Sequence, residues 1–311
     1  MSSTTTDVPG SPEVPGGPVA AGPVPADAPA PGTAEGRARG LSPSRAADFL
    51  RCPLLYRFRT IDRLEEAPSP AAVRGTLVHA VLDRLFDLPA AERTPEAACG
   101  MVEDRWRELL AGDERLGALF GEDDDGRAAL ERWLGQARSL LRRWFELEDP
   151  TRLEPAGREV RVEVPLEGGP VLRGVVDRLD VAPGGQLRVV DYKTGRAPSD
   201  RFAAAALFQI RFYALVLWRL RGVVPRSLQL VYLGSGEVLG HSPDEDDLRA
   251  TERKVRALWE AIERNRASGE WPATPGRLCS WCDHKALCPA FGGTPPPLPG
   301  DDAAQDPPRR G

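Results

Sequence analysis

The sequence predicts a mixed α/β fold in which several helices are followed by three strands, a helix, a strand and a final helix. Short runs in which apolar and polar residues alternate indicate the strands, and apolar residues recurring every three to four positions indicate the helices. Residues 182–185, Ala-Pro-Gly-Gly, form a strong turn signal between two apolar runs. That turn predicts a β-hairpin at the centre of the chain.

The N-terminal half is predicted to be helical. Ser42 followed by Pro43 is typical of a helix start, and this short helix should end near Leu50. Apolar spacing predicts a second helix over residues 73–86. Longer helices are expected near residues 95–111 and 127–148.

The sheet is predicted from residue 159 onward. Val160, Val162 and Val164 alternate with charged residues, as they do in a half-buried strand. The two hairpin strands follow. Ser199 is then expected to cap a helix that ends near Leu220. A strand at 227–233 and a helix at 245–268 complete the predicted order.

The hairpin is expected to bring two acids together. If its loop centres on Gly184, Asp177 lies opposite Asp191, and directly opposed Cβ atoms are about 4.5–5.5 Å apart. Lys193 shares that face, because residues two apart on a strand point the same way. Two carboxylates this close repel each other unless a cation lies between them. The pattern therefore predicts a divalent metal site.

The other face of the hairpin gives the contrast. In the same register Asp180 lies opposite Arg188, which is how an ordinary cross-strand ion pair is arranged. Only three of the 41 basic residues are lysine. A lysine beside Asp191 therefore indicates a specific role rather than an interchangeable surface cation. An ammonium is a compact charge that suits contact with a water or a phosphate oxygen. The alternative is a solvated lysine beside a charge-paired aspartate.

Residues 174–180 and 189–195 together resemble the D…D-x-K motif of the PD-(D/E)XK nuclease superfamily, in particular its RecB-like exonuclease branch. Residues 75–79 (Gly-Thr-Leu-Val-His) are similar to the branch's G-x-x-x-H segment, and residues 209–213 to its Q-x-x-x-Y helix. The N-terminal segments 41–45 and 52–58 are similar to its N-terminal signature. The resemblance covers about residues 41–291 and implies the restriction-endonuclease-like αβββαβ core with added helices.

The resemblance also implies metal-dependent hydrolysis of DNA. Asp177, Asp191, His79 and the backbone carbonyl of Tyr192 would hold Mg²⁺ or Mn²⁺, whose preferred ligands are hard oxygen atoms. Lys193 would orient or deprotonate the attacking water, or stabilise the pentacoordinate phosphate. A non-catalytic DNA-binding or scaffolding module on the same fold is the alternative function.

Gln209 and Tyr213 lie four residues apart and therefore share one face of the predicted helix. The resemblance places them near the active-site strand or the substrate phosphate. The alternative is a polar pair that packs the helix on the sheet. For His79 the alternative to a metal ligand is a core histidine with a hydrogen-bonded ring.

Four cysteines form a second group, consisting of Cys52, Cys279, Cys282 and Cys288. In a cytosolic protein this spacing favours a metal site over disulfides, and thiolates suit zinc or an iron–sulfur cluster. Free thiols are the third possibility, and His284 is a substitute ligand for zinc. Nucleases of the AddB type and the CRISPR-adaptation type resemble this arrangement. That resemblance implies a 4Fe–4S cluster, with zinc as the alternative, that clamps the N-terminal helix to the C-terminal end.

Cys99 lies apart from that group, in a predicted helix, and is expected to be a small buried apolar residue. Residues 40–291 are expected to form the nuclease domain. The segments 1–38 and 293–311 are rich in Pro, Ala and Gly and are predicted to be disordered tails.

No secretory signal and no apolar run of the roughly 18–20 residues that a membrane span needs were found, so a cytoplasmic protein is expected. The net charge of −5 neither favours nor excludes nucleic acid as a partner. The expected substrate is single-stranded DNA or duplex ends. A P-loop motif is missing, so any helicase that supplies unwound DNA would be a separate partner.

Overall fold

The computed structural model of the chain describes residues 40–299, without the side chains of residues 200–205. The predicted tail 1–38 and residues 300–311 of the predicted C-terminal tail lie outside the described residues. The described part of the C-terminal segment lies against the domain. Arg57 donates a hydrogen bond to the carbonyl of Pro296, and Leu298 packs against the apolar core.

Helix α1 spans Pro43–Arg51 and begins as predicted, because the Ser42 hydroxyl accepts the backbone N–H of Arg45 at 3.3 Å. Cys52 separates α1 from the short helix α2, Pro53–Tyr56, which continues as a π-helical turn over Arg57–Ile61. The remaining helices of this half are α3 (Pro70–Leu85), α4 (Pro95–Gly100), α5 (Val102–Gly112) and α6 (Asp124–Leu147).

The helix predicted over 95–111 is two helices, so that prediction is wrong in its continuity. Gly100 is a poor helix former, and α4 ends there. The N–H of Met101 contacts the carbonyls of Ala97 and Ala98, each at 3.2 Å, before α5 begins. Helix α6 starts three residues earlier than predicted, because the Asp123 carboxylate accepts the N–H of Gly126 at 2.8 Å.

The second half contains the strands and two long helices. After β1 (Gly40–Leu41) come β2 (Gly157–Pro165), β3 (Val171–Val181), β4 (Leu187–Lys193), α7 (Asp200–Arg221), β5 (Ser227–Tyr232), β6 (Glu237–His241) and α8 (Glu245–Ser268). Ser199 occupies the position before α7, but its hydroxyl forms no capping hydrogen bond. Strands β1 and β6 were not predicted from the sequence.

The six strands form one mixed sheet. β3 pairs antiparallel with β2 and β4 and parallel with β1, β4 pairs parallel with β5, and β5 pairs antiparallel with β6. The order α3, β2, β3, β4, α7, β5 is the predicted αβββαβ order, which confirms the predicted fold class.

Helices cover both faces of the sheet. Leu187 and Val189 of β4 belong to the core shared with α1, α7 and α8, whereas Val190 and Tyr192 belong to the core shared with α3–α6. Alternation along β4 therefore sends Asp191 and Lys193 toward α7. None of the helices in the described part of the chain has the length and apolar character needed to span a membrane.

Candidate active site

The β3–β4 hairpin has the predicted register. Asp180 lies opposite Arg188, and Arg188 Nη2 is 2.7 Å from Asp180 Oδ2, which confirms the predicted ion pair. The ladder ends at the pair Arg178–Val190, so Asp177 is the first residue beyond it. There the Asp177 Oδ2 atom accepts the backbone N–H of Tyr192 at 2.7 Å. This carboxylate thus takes the place of a backbone carbonyl as the acceptor.

Asp191 is held from two sides. Its Oδ2 atom lies 2.5 Å from Lys193 Nζ, and its Oδ1 atom accepts a hydrogen bond from Gln209 Nε2 of α7 at 3.1 Å. The Asp191 side chain is 3% exposed, whereas that of Lys193 is 30% exposed. The lysine therefore presents its charge to solvent while the aspartate stays fixed behind it.

Tyr213 lies one helical turn beyond Gln209 and is buried. Burial and the charge of Asp191 raise the pKa of Tyr213 to about 12, against a hydrogen bond with Gln209 that lowers it. The hydroxyl therefore stays protonated at neutral pH. The structure thus brings Gln209 into contact with Asp191, whereas Tyr213 is hydrogen-bonded to Gln209.

His79 reaches the same place from α3, in the opposite helical layer. Its Nε2 atom lies 3.0 Å from the carbonyl oxygen of Tyr192, and its Nδ1 atom lies 3.5 Å from Asp177 Oδ2. Burial lowers the pKa of His79. A neutral imidazole is the form that binds a metal ion.

Glu159 is a residue of this site that the sequence analysis missed. The pairs Arg158–Arg178 and Val160–Val176 flank it, so Glu159 faces Asp177 across the β2–β3 ladder. Extending the hairpin register by one more strand sets Glu159 opposite Asp177, but its positive φ has no signal in the sequence. Burial, followed by the carboxylates of Asp83 and Asp191, raises the pKa of Glu159.

Negative charge exceeds positive charge in the cleft. Burial, followed by the charge of Asp191, raises the pKa of Asp177. Carboxylates on three neighbouring strands face one ammonium, that of Lys193, and a divalent cation would offset the difference. Oxygen donors with one imidazole suit Mg²⁺ or Mn²⁺, so the residues present fit such an ion.

The cleft has a volume of about 730 Å³ and opens to solvent. His79, Glu159 and Lys193 lie in its wall beside Thr76, Thr194 and Tyr232. Hydroxyl groups beside an ammonium can donate hydrogen bonds to phosphate oxygens. The cleft can therefore admit a charged, extended ligand next to the candidate metal site.

The sequence pattern of the PD-(D/E)XK nuclease superfamily matches residues 40–289. The chain belongs to this superfamily. The Gene 69 protein of Mycobacterium phage D29 is 25% identical over 273 residues, covering 80% of this chain and 96% of that protein. An ATP-dependent helicase/deoxyribonuclease subunit of Streptococcus mutans is 26% identical over 163 residues, which is 51% of this chain and 14% of that protein.

A solved structure from Eubacterium rectale, named provisionally as an exonuclease, superposes with a TM-score of 0.56. It covers 88% of this chain and 96% of its own, at 15% sequence identity. That likeness shows the PD-(D/E)XK fold, and the superfamily match supports a nuclease acting on DNA.

A buried ion-pair network supports the nuclease cleft from behind the sheet, and the sequence analysis missed it. Arg178 is 1% exposed and contacts both carboxylate oxygens of Glu148 on α6, at 2.9 and 2.5 Å. It also donates to the Tyr192 hydroxyl at 2.5 Å and to Asp180. Tyr192 is thus fixed by its hydroxyl on one face and by its backbone on the other.

The four cysteines of the nuclease domain line one cavity of about 330 Å³, called here the cysteine cavity. Cys52 lies between α1 and α2, and the other three lie on or beside short 3-10 turns near the C-terminal end. Cys52 Sγ accepts the N–H of Thr274 at 3.4 Å, and Cys279 Sγ accepts that of Gly276 at 3.2 Å.

Within residues 40–299, the one group of three potential metal-binding side chains whose donor atoms all lie within 4.8 Å is His79, Glu159 and Asp177. No three thiols of the cysteine cavity meet this criterion among these residues. His284 lines this cavity but is buried with Nε2 at 2.9 Å from Glu66 Oε1. Cys99 is buried in α4, which confirms its predicted place.

Proposed function

We infer that the protein is a metal-dependent DNA nuclease of the RecB-like exonuclease type, which hydrolyses phosphodiester bonds. The observation that carries this proposal is the meeting of Asp177, Asp191 and Lys193 where β3 and β4 separate, in a chain of the nuclease superfamily. A DNA-binding module without catalysis would not need an ammonium 2.5 Å from a buried carboxylate.

Each residue has a distinct proposed role. Asp177, Asp191, His79 and the Tyr192 carbonyl oxygen would hold one or two Mg²⁺ or Mn²⁺ ions. Such an ion lowers the pKa of a bound water and offsets charge on the phosphate. Lys193 orients or deprotonates the attacking water, or stabilises the phosphate oxygens.

Gln209 and Tyr213 act on the same strand from α7. Gln209 fixes the Asp191 carboxylate through its hydrogen bond to Oδ1. Tyr213 keeps a neutral hydroxyl that is hydrogen-bonded to Gln209, and the charge of Asp191 raises its pKa. A carboxylate held in this way loses less entropy when it binds a cation, since its rotamer is already fixed.

The cysteine cavity is proposed to hold a 4Fe–4S cluster through Cys52, Cys279, Cys282 and Cys288. Four thiolates on one zinc ion, each at about 2.3 Å, would lie roughly 3.8 Å apart. His284, the substitute ligand for zinc, is oriented toward Glu66, which leaves the four thiols as the donor set. The backbone N–H groups that reach two of the sulfurs would stabilise thiolates.

The proposed substrate is DNA, as single strands or duplex ends, in cytoplasmic repair or recombination. A separate helicase is a proposed partner. The similarity of half of this chain to part of a helicase/deoxyribonuclease subunit supports that proposal.

The test is degradation of end-labelled single- and double-stranded DNA by the purified protein in Mg²⁺ or Mn²⁺. We expect Lys193→Met and Asp191→Asn to lower the cleavage rate by about 10³-fold, with the melting temperature retained. Lys254→Met is the matched control, because Lys254 is an exposed lysine on α8 that stacks on Phe208. If the wild type binds DNA but does not cleave it, or if Lys193→Met cleaves normally, the nuclease assignment is wrong.

A further inference from the structure

Glu159 has a backbone conformation that is unusual for a residue with a side chain. Its φ is +46°, in the left-handed region, and in residues 40–299 it shares a positive φ with only one other non-glycine residue, Arg63. The left-handed region is unfavourable for L-residues because Cβ approaches the following carbonyl oxygen. This conformation places the Glu159 carboxylate beside His79 in the cleft wall.

The hydrogen bond of His79 defines which ring nitrogen is free. The Tyr192 carbonyl can only accept, so Nε2, at 3.0 Å from it, carries the hydrogen. In the neutral ring Nδ1 then has a lone pair. That lone pair faces Asp177 Oδ2 at 3.5 Å and Glu159 Oε1 at 3.9 Å. Three acceptor atoms therefore converge: a ring nitrogen that cannot donate a hydrogen bond and two carboxylate oxygens.

The surroundings of Glu159 supply no alternative partner. Within residues 40–299, no arginine or lysine forms an ion pair with it, and the nearby charges are the carboxylates of Asp83 and Asp191. The three acceptor atoms all lie within 4.8 Å of one another. Neighbouring ligands of an octahedral Mg²⁺ are about 3 Å apart, so small side-chain movements would complete the set.

We propose that Glu159 is a ligand of a divalent metal ion that binds His79 Nδ1 and Asp177. This proposal rests on the proposed nuclease function and adds an acid from β2 to the hairpin acids. Because Asp177 lies between Glu159 and Asp191, it is the shared residue of the extended site.

The test measures Mn²⁺ binding by calorimetry and electron paramagnetic resonance on chelator-treated full-length protein. We expect Glu159→Gln and Glu159→Gly to raise the dissociation constant by about tenfold or more. Glu163→Gln is the control, because Glu163 lies on the same strand with similar exposure and pairs with Arg173 instead. Glycine also relieves the left-handed strain, so Glu159→Gly should melt no lower than the wild type without metal.

The outcomes separate the two proposals. Unchanged Mn²⁺ affinity in both Glu159 variants, while the wild type binds Mn²⁺ and cleaves DNA, overturns the role of Glu159 and leaves the nuclease proposal intact. A wild type that neither binds Mn²⁺ nor cleaves DNA overturns both. Weaker binding in the two variants but not in Glu163→Gln supports the proposed ligand.

Discussion

The cleft and the cysteine cavity are both proposed metal sites, and they are built in different ways. In the cleft, the side chains come from strands and long helices, and hydrogen bonds within the chain already hold Asp177, Asp191 and His79 in place. In the cysteine cavity, three of the four ligands lie on or beside 3-10 turns of three to five residues. Short turns of this kind bury few residues of their own.

The exposed residues around the cavity show the same difference. Trp281 is 83% exposed and Leu278 is 53% exposed, both on the turn that carries Cys279. The buried side chains of the cleft, such as Tyr192 and Asp191, are less than 5% exposed. We infer that the cleft is formed by the protein alone, whereas the C-terminal turns depend on the cofactor that the thiols are proposed to bind.

The largest expected effect comes from removing one thiol. A structural metal site contributes roughly 10–16 kcal/mol of apparent binding energy to folding, so Cys279→Ser should lower the free energy of unfolding by several kcal/mol. Iron and sulfide should be found in anaerobically purified wild type and lost from the variant. Cys99→Ser is the matched control.

Two results would contradict the proposal that the C-terminal turns depend on an iron–sulfur cluster. Stoichiometric zinc in place of iron and sulfide would make the cavity a zinc site. A Cys279→Ser variant that melts like the wild type would show that the C-terminal turns are stable without a bound cofactor.

The second prediction tests whether the protein alone builds the cleft. Arg178→Met leaves Glu148 buried without its cation and Asp180 paired with Arg188 alone, and such a loss typically costs about 3–5 kcal/mol. Arg188→Met removes a pair whose arginine is 33% exposed, and should cost at most about 1 kcal/mol. Chemical denaturation of both variants in chelator gives the two values. Equal losses would mean that the buried network does not set the geometry of β4.

The sequence predicted the parts of the fold and of the cleft that depend on local periodicity. The turn at 182–185 and the two-residue repeat of the strands predicted the register that sets Asp180 opposite Arg188. They also predicted Asp177 directly opposite Asp191, whereas the ladder ends one pair earlier, at Arg178 and Val190. The Ser42 cap was likewise visible as a local pattern. These features depend on neighbours in sequence or on one tight hairpin.

Long-range contacts could not be predicted in the same way. Arg178 meets Glu148, 30 residues away, because α6 packs on the sheet, and a single arginine after Asp177 carries no signal of that. To predict the position of Glu159, both the β2 register and a positive φ at a residue that is not glycine would have to be known. The break between α4 and α5 falls at Gly100, a local signal that the helical apolar spacing alone does not show.

The smallest predicted effect is the stabilisation of the cleft by a cation, which should depend on pH. Asp177 has a raised pKa in the folded protein, so its favourable contribution is complete below the unfolded pKa and is lost as pH rises through the folded one. A divalent cation replaces that proton. Mn²⁺ at 100 times its dissociation constant should therefore stabilise the protein by about 2.7 kcal/mol at alkaline pH, and by less at acidic pH, where the proton competes.

Melting curves with and without Mn²⁺ at pH values below and above the titration of Asp177 measure this difference. The Asp177→Asn variant has no proton to exchange there and should show a smaller dependence on pH. A Mn²⁺ effect of equal size at both pH values in the wild type would place the cation away from Asp177. Of the two proposed metal sites, only the cysteine cavity would then bind its metal through the residues assigned to it.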